Sequence, residues 1–325
     1  MPVSTRSFRL HAVICAAIAT LAAPAAAQTW PTQTIRLVVP FPAGGSNDVM
    51  ARMIAPHLEK SLGQTVLVDN RPAAAGQVGT EAVARAAPDG HTLLLIASSH
   101  TVRPAVAKLP YDTEKDFAPV SLINSNAMFF FVHPKVPAND LKAFIELARK
   151  NPGKFNYASP GAGSQTHLTV ELLSTRNGIK LQHVPYRGGA PATQAMLSGE
   201  TEFTMLAPNV IFPLMADGKI RAIANGAPKR HPRAPDVPTT AELGLPNIQA
   251  IQWVGILTTA GTPKPVIDRL NKELNRIVHL PEVVKLLEQQ GVTPTGSTPE
   301  EFQALISREI KDWTEAAKIA NVKVN

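Results

Sequence analysis

Cysteine is almost missing from this chain of 325 residues, since Cys15 is the only one. It lies in an N-terminal segment that we expect to be removed, so the mature protein would contain no disulfide bond and no reactive thiol. Aromatic residues make up 5% of the chain and are not interleaved with its basic cluster, which argues against a nucleic-acid-binding surface. No long apolar run follows the N-terminal segment, and we expect the rest of the chain to be soluble.

The motifs that mark common enzyme classes are also missing. The sequence contains no His-Glu-x-x-His pair for zinc, no Gly-x-Ser-x-Gly nucleophile elbow and no Gly-x-x-x-x-Gly-Lys-Ser/Thr phosphate loop. Ser164 and His167 are three residues apart, but no motif supplies an acid to orient the histidine. We therefore predict no catalytic residue, no metal site and no cofactor.

The N-terminus has the pattern of a secretory signal. Arg6 and Arg9 precede an apolar stretch, residues 12–23, and Ala25-Ala26-Ala27 then supplies small residues for a signal peptidase. The stretch is shorter than the about 20 apolar residues that a membrane-spanning helix needs. We expect residues 1–27 to be a signal peptide, cleaved after Ala27, and the mature protein to be periplasmic.

The mature chain would be moderately basic. Without the two signal arginines, 30 basic residues face 25 acidic ones, a net charge of +5. The excess is dispersed, and such a mild positive field favours anionic solutes.

Short apolar segments alternate with amphipathic ones, which predicts an α/β fold with parallel strands. Residues 46–62 repeat apolar side chains every four residues and end before Gly63, as a helix does. After a final strand the C-terminal part is mainly helical, with helices at 265–278, 282–289 and 300–319. The predicted strands are 35–39, 66–68, 92–96, 129–132, 155–158, 181–184, 203–206, 220–224 and 253–257.

No Gly/Ser-rich linker separates the two strand series. Two crossings between lobes, near residues 124 and 225, fit this pattern better than consecutive domains. We predict a discontinuous lobe I, residues 28–124 and 225–325, and a lobe II of residues 125–224.

A glycine-rich loop joins the first predicted strand to its helix. Consecutive glycines allow positive φ and a close approach of the backbone to a ligand. The free N–H groups and the dipole of the helix start favour an anion, and ligands of α/β proteins bind at the carboxyl ends of strands. A tight turn with a capped helix would contain the same residue types. The predicted ligand contacts are Phe41, Ala43, Gly44, Gly45, Ser46, Asn47 and Asp48.

A second loop has the same construction, between the strand at 155–158 and a helix that starts near Ser164. A dinucleotide fingerprint is rejected, because Thr166 occupies its third glycine position and no acidic residue follows at the required spacing. Two anion-binding loops would instead face each other across a cleft. The predicted contacts here are Gly161, Ala162, Gly163, Ser164, Thr166 and His167, and bracing of the loop explains His167 equally well.

Other polar residues follow predicted strands. Ser98 and Ser99 have hydroxyls that would line the cleft, and Asn209 would add a polar contact. Tyr186 would hydrogen-bond the ligand or serve in packing. Arg187 would pair with a carboxylate or lie in solvent.

Short motifs occur in a fixed order along the chain. They are Trp30-Pro31, Ile35 to Val39, Pro42-Ala43-Gly44-Gly45 with Asp48, Val68-Asp69-Asn70-Arg71-Pro72, Ala87-Pro88-Asp89-Gly90, Leu109-Pro110-Tyr111-Asp112, Asp116 to Val120, Gly161 to His167, Val184 to Gly188, Asp236 to Thr239, Glu242 to Pro246 and Gly261-Thr262-Pro263. In this order they resemble the Bug-type solute receptors, the extracytoplasmic substrate-binding proteins of tripartite tricarboxylate transporters.

The resemblance implies a two-lobed periplasmic-binding-protein-like fold of type II, the Venus flytrap, with the ligand between the lobes. In that family the two glycine-rich loops hold a ligand carboxylate, and the ligands are di- or tricarboxylates, amino acids or aromatic acids. Arg103 departs from the family, where a small polar Asn-Pro pair is common, and so do the aromatic residues Phe129 to Phe131.

We therefore expect a monomeric solute receptor that binds a small organic acid and delivers it to membrane transporter subunits. Presentation to a sensor kinase is an alternative that the sequence does not separate from transport. An exported enzyme acting on a carboxylic acid is a third, which the missing catalytic motifs disfavour.

Overall fold

The computed structural model describes most of the chain after the predicted signal peptide. Arg187 and Asn209, two residues considered above, lie outside the described part, as do residues 1–27. The described residues are 30–186, 189–207, 212, 214–289, 292–319 and 321–322.

Within this part, six strands form a first sheet in the order β11-β4-β10-β3-β1-β2. β1 pairs in parallel with β2 and β3, as predicted. β10 lies between β3 and β4 and is antiparallel to both, so the sheet is mixed rather than parallel throughout. The strands are β1 (Ile35–Val39), β2 (Val66–Asn70), β3 (Thr92–Ala97), β4 (Phe117–Ala127), β10 (Ile251–Thr259) and β11 (Thr293–Pro294).

The other five strands form a second sheet in the order β7-β6-β8-β5-β9. β6 is parallel to β7 and β8, whereas β5 is antiparallel to β8 and β9. The chain enters this sheet directly after β4 and returns to the first sheet between β9 and β10. The exact lobe boundaries stay a prediction. The strands are β5 (Phe129–Val132), β6 (Asn156–Ser159), β7 (Gln182–Pro185), β8 (Phe203–Leu206) and β9 (Arg221–Asn225).

Helices cover both faces of each sheet. Residues 46–62 form a helix with the predicted bounds, and Gly63 ends it with a φ of 70°. None of the helices in the described ranges combines the length and the apolar character that crossing a bilayer requires. The helices are α1 (Ser46–Leu62), α2 (Gln77–Ala84), α3 (Ser99–Val106), α4 (Leu141–Lys150), α5 (Gln165–Asn177), α6 (Gly189–Ser198), α7 (Lys264–Val278), α8 (Pro281–Gln289) and α9 (Pro299–Ile319).

Alternate residues of the central strands pack on opposite sides. In β3, Leu93 and Leu95 pack with residues of α1 and α7, whereas Leu94 and Ile96 pack with residues of α2 and α9. The aromatic strand β5 is buried on both faces in the same way. Because side chains alternate along a strand, continuous apolar runs are what a sheet covered on both faces requires.

The last helix, α9, joins the two sheets. It contacts α3 and β4 of the first sheet and α5 over the second. Its Phe302 belongs to the core of the first sheet, and its Trp313 belongs to that of the second.

Candidate functional site

The two glycine-rich loops contain the same hydrogen-bonded turn. Gly44 has a φ of 79° and its N–H donates to Oδ2 of Asp48 at 2.8 Å. Gly163 has a φ of 74° and its N–H donates to Nδ1 of His167 at 3.0 Å. In each loop the side chain four residues ahead holds a glycine in the left-handed region. Residues with a Cβ adopt that conformation only at a cost. We call these hydrogen bonds the first and the second loop brace.

Asp48 is the centre of a buried polar network. Besides the Gly44 N–H, its carboxylate accepts from Nε of Arg52 at 3.0 Å and from Nδ2 of Asn70 at 2.9 Å. Asn70, the last residue of β2, also donates to the carbonyl of Phe41, so the network ties the loop to the neighbouring strand. The hydrogen bond from Gly44, together with Arg52, lowers the pKa of Asp48 to about 2 in spite of its burial. Asp48 is thus an ionised structural group.

The start of α1 differs from what residue types suggested. Ser46, Asn47 and Asp48 all suit an N-cap, yet the N-cap is Gly45, and no side chain caps this end. The reason is that the chain turns one residue earlier and Asp48 reaches back to Gly44 instead. The first N–H groups of α1 therefore have no side-chain cap.

The second loop brace is an imidazole inside an aromatic stack. The ring of His167 lies on that of His183, with centroids 3.8 Å apart and planes at 11°, and His183 stacks in turn on Tyr157. Because Nδ1 of His167 accepts from Gly163, the neutral ring carries its proton on Nε2. Burial lowers the pKa of His167, and burial together with the neighbouring His167 lowers the pKa of His183 to about 4. Both rings are therefore neutral at pH 7.

The two loops face each other across an outer cavity of about 910 Å³. Phe41 and Pro42 line it from the first loop, and residues 161–164 line it from the second. Arg103 of α3 and Lys108 also line it, and none of the described residues in its wall is acidic. Nε of Arg103 is buried and has no hydrogen-bond partner. This end of the cleft is equipped for an anion.

An inner cavity of about 430 Å³ meets the outer one at Ser99. The starts of three helices line it: Ser46 and Asn47 from α1, Ser98 and Ser99 from α3, and Gln165 from α5. The first N–H groups of a helix have no partner inside the helix, and its dipole adds partial positive charge there. Three helix starts around one small cavity favour an anion there without a cationic side chain.

Side-chain amides complete the inner cavity. Asn124 and Asn126 of β4 and Gln252 of β10 line it, and none of its described lining residues is charged. The Oδ1 atoms of Asn124 and Asn126 are buried without a hydrogen-bond partner. An amide pointing into the cavity offers either an oxygen or an NH₂ group to a ligand, so these residues suit a polar solute.

Gln165 connects the two sheets inside the cleft. It donates through Nε2 to the carbonyl of Ile251 in β10 at 2.7 Å, and its Oε1 accepts from Oγ of Ser98 at 3.4 Å. The predicted contacts included the neighbours Ser164 and Thr166 but not Gln165. Sequence contained no signal for it, because both partners come from the other sheet. Asn124 and Asn126 are two apart on β4 and so share a face, but this spacing is a signal only once the segment is known to be a strand.

The predicted residues fall into two groups. Phe41, Ser46, Asn47, Ser98, Ser99, Gly161, Ala162, Gly163 and Ser164 line the two cavities. Ala43, Gly44, Gly45, Asp48, Thr166 and His167 line neither, and three of these, Gly44, Asp48 and His167, form the loop braces. Tyr186 also lines neither cavity, and its hydroxyl donates to Glu200 at 2.8 Å, which with burial raises its pKa to about 12. Direct ligand contact by any of these residues stays a prediction.

Known proteins resemble this chain over nearly its whole length. BugT of Bordetella pertussis is 36% identical over 97% of this chain and 98% of its own. An R. palustris protein solved with adipate is 30% identical, with a TM-score of 0.73 over 90% of this chain and 99% of its own. MatC from Rhodopseudomonas palustris, solved with bound malate, is 32% identical, with a TM-score of 0.70 over 88% of this chain and 99% of its own.

A family profile agrees with these relatives. The family described as "Tripartite tricarboxylate transporter family receptor" matches residues 50–322. The structural neighbours confirm the predicted two-lobed α/β periplasmic-binding-protein fold. The chain therefore belongs to the tripartite tricarboxylate transporter receptor family, whose members are periplasmic solute-binding receptors of the Bug type.

Proposed function

We propose that this protein binds a small dicarboxylate between its lobes and delivers it to a tripartite tricarboxylate-type transporter. The observation that carries the proposal is the division of the cleft. The inner cavity offers three helix starts and neutral amides, and the outer cavity offers Arg103 and Lys108. A solute with a carboxylate at each end matches both. The adipate and malate bound by two relatives are both dicarboxylates.

The expected affinity follows from the contacts. A hydrogen bond to a charged group contributes roughly 1.5–3 kcal/mol net, so three or four reach about −8 kcal/mol, a micromolar dissociation constant. Contacts to both lobes would favour the closed state, which a membrane partner then recognises. The predicted removal of residues 1–27, cleavage after Ala27 and a monomeric state belong to the same proposal.

Thermal stabilisation by a panel of acids tests the substrate class. Adipate and malate should raise the melting temperature more than hexanoate, which keeps one carboxylate only. A panel in which no dicarboxylate stabilises the protein would overturn the proposal. N-terminal sequencing of the exported protein checks the cleavage site.

Arg103 gives the sharper test. Arg103→Met keeps a long apolar stem but removes the charge, and we expect adipate affinity to fall at least about tenfold while hexanoate affinity is unchanged. Arg103→Lys is the matched control and should retain part of the difference, since it keeps the charge but not the fork of donors. Equal losses for adipate and hexanoate would show that Arg103 does not read the second carboxylate.

A further inference from the structure

A third cavity, of about 260 Å³, lies apart from the outer and inner cavities of the cleft. Residues of α5, of the segment before β10 and of α9 line it. Glu309 of α9 lines this cavity and accepts from Nε1 of Trp253 at 2.9 Å, while Trp253 itself lines the inner cavity of the cleft. That pair of side chains stands between the two spaces. Nothing in the proposed dicarboxylate function uses this third cavity.

Two buried polar groups in its wall have no partner. The indole of Trp313 is 7% exposed, Thr169 is 1% exposed, and neither Nε1 of Trp313 nor Oγ1 of Thr169 makes a hydrogen bond. A buried donor without an acceptor is destabilising, and native proteins rarely leave one. An oxygen atom of a small ligand would give both the Trp313 N–H and the Thr169 hydroxyl a hydrogen-bond acceptor.

The wall contains ionisable groups of both signs. Arg176 and Arg308 are basic, and Glu309 and Asp312 are acidic. Arg176 also pairs with Glu315 at 3.7 Å, and burial raises the pKa of Glu309. Arg176 is fixed at the rim, where Nη1 donates to the carbonyl of Asn247 at 2.7 Å. A simple carboxylate would lie against Glu309 and Asp312, and a simple amine against the arginines, so a ligand that carries both charges fits better than either.

Aliphatic side chains form part of the remaining wall, beside the polar residues Asn247 and Gln249. Leu172, Ile248 and Leu305 line the cavity, and its volume corresponds to that of roughly nine water molecules in the liquid. We propose that this cavity binds a free α-amino acid with an aliphatic side chain. Its carboxylate accepts from Trp313 and pairs with Arg308, its ammonium group faces the two acids, and its side chain packs on the aliphatic residues.

Calorimetric titration of the mature protein with L-leucine tests this site. 4-Methylpentanoate lacks the ammonium group and leucinamide lacks the carboxylate, and each should bind at least about tenfold more weakly than L-leucine. Saturating adipate, or the Arg103→Met substitution, should leave leucine affinity unchanged, because the cavity is separate from the cleft. Competition between leucine and adipate, equal binding of 4-methylpentanoate, or no leucine binding at millimolar concentration would each overturn the proposal.

Trp313→Phe identifies the site. It keeps the ring but removes the N–H, and leucine affinity should fall at least about tenfold while adipate affinity is retained. Trp30→Phe is the matched control, because Nε1 of Trp30 is also buried without a partner but lies outside this cavity. Thr169→Val repeats the test should Trp313→Phe fail to fold. Unchanged leucine affinity in the folded Trp313 or Thr169 variant would place leucine elsewhere.

Discussion

The loops before α1 and α5 hold a left-handed glycine in the same way but with side chains of different chemistry. In the first loop brace the acceptor is an ionised carboxylate, Asp48, whose charge is offset by Arg52 and by the amide of Asn70. In the second it is a neutral imidazole, His167, supported by stacking on His183. The geometry of the turn therefore does not depend on the charge of the acceptor.

The difference has an electrostatic consequence. Residues 161–164 of the second loop line the outer cavity, so an anionic brace there would repel a bound carboxylate. A neutral acceptor avoids that repulsion. The first loop lines the same cavity through Phe41 and Pro42, and there the charge of Asp48 is offset by its ion pair with Arg52.

The largest effect is expected from removing the charged brace. Asp48→Ala leaves the Gly44 N–H, Arg52 and Asn70 without their common acceptor, and we expect a loss of about 2–4 kcal/mol in the free energy of unfolding. Urea denaturation measures it. Asp48→Asn keeps an acceptor of the same shape and should lose less. An ordinary surface substitution changes the free energy of unfolding by up to about 0.5 kcal/mol. If Asp48→Ala changes it by no more than that, the network does not stabilise the loop.

A smaller loss is expected at the neutral brace. His167→Phe preserves stacking on His183 but leaves the Gly163 N–H without an acceptor, which we expect to lower stability by about 1–2 kcal/mol. His167→Asn carries an acceptor oxygen at the δ position and should restore part of that loss. Equal stability of the two variants would mean that stacking, and not the brace, supports the second loop.

Lowering the pH should break the second loop brace before the first. Protonation of Nδ1 removes the acceptor of the second brace, whereas Asp48, whose pKa is about 2, keeps accepting. Burial lowers the pKa of His167 in the folded state below the ordinary 6.5. The stability that the second brace contributes is therefore fully present above pH 6.5 and is lost as the pH falls through the lowered pKa. The protection of the Gly163 amide against hydrogen exchange should therefore fall relative to that of Gly44 below pH 6.5. A constant ratio would contradict this difference.

Both loops were predictable from sequence, and bracing of the second loop was one of the two roles predicted for His167, whereas the brace formed by Asp48 was not predicted. The strand, the paired glycines and the apolar repeat of residues 46–62 are local signals, and α1 has the predicted bounds. That Asp48 and His167 turn back to a glycine depends on partners such as Asn70 and His183, which are remote in sequence. The same residue types equally suit a helix cap or a ligand contact.

The strand β4 shows the same limit at the level of the fold. It contains Pro119 and the polar run from Asn124 to Asn126, so its composition does not indicate a strand. It is a strand because β10 pairs with it along its length after the chain returns from the second sheet. The amides of Asn124 and Asn126 then reach the inner cavity, which explains why they were absent from the predicted site.

The smallest effect concerns the helix starts themselves. Ser164 caps α5 through Oγ, which accepts from the His167 N–H at 3.3 Å, whereas Gly45 provides no side chain at the start of α1. Ser164→Ala should lower the free energy of unfolding by about 1 kcal/mol, and Ser164→Gly, which makes the second helix start resemble the first, by only a few tenths of that amount.

Adipate binding to the two Ser164 variants decides whether this hydroxyl does more than cap. Ser164 lines the outer cavity, so a direct contact would weaken adipate binding in both variants alike. If the hydroxyl only caps α5, adipate affinity should change in parallel with stability and should fall more in Ser164→Ala than in Ser164→Gly. Gly45→Ser is the reciprocal change. Its Cβ would lie 3.2 Å from the carbonyl oxygen of Pro42, and that close contact should offset most of the gain from a new cap.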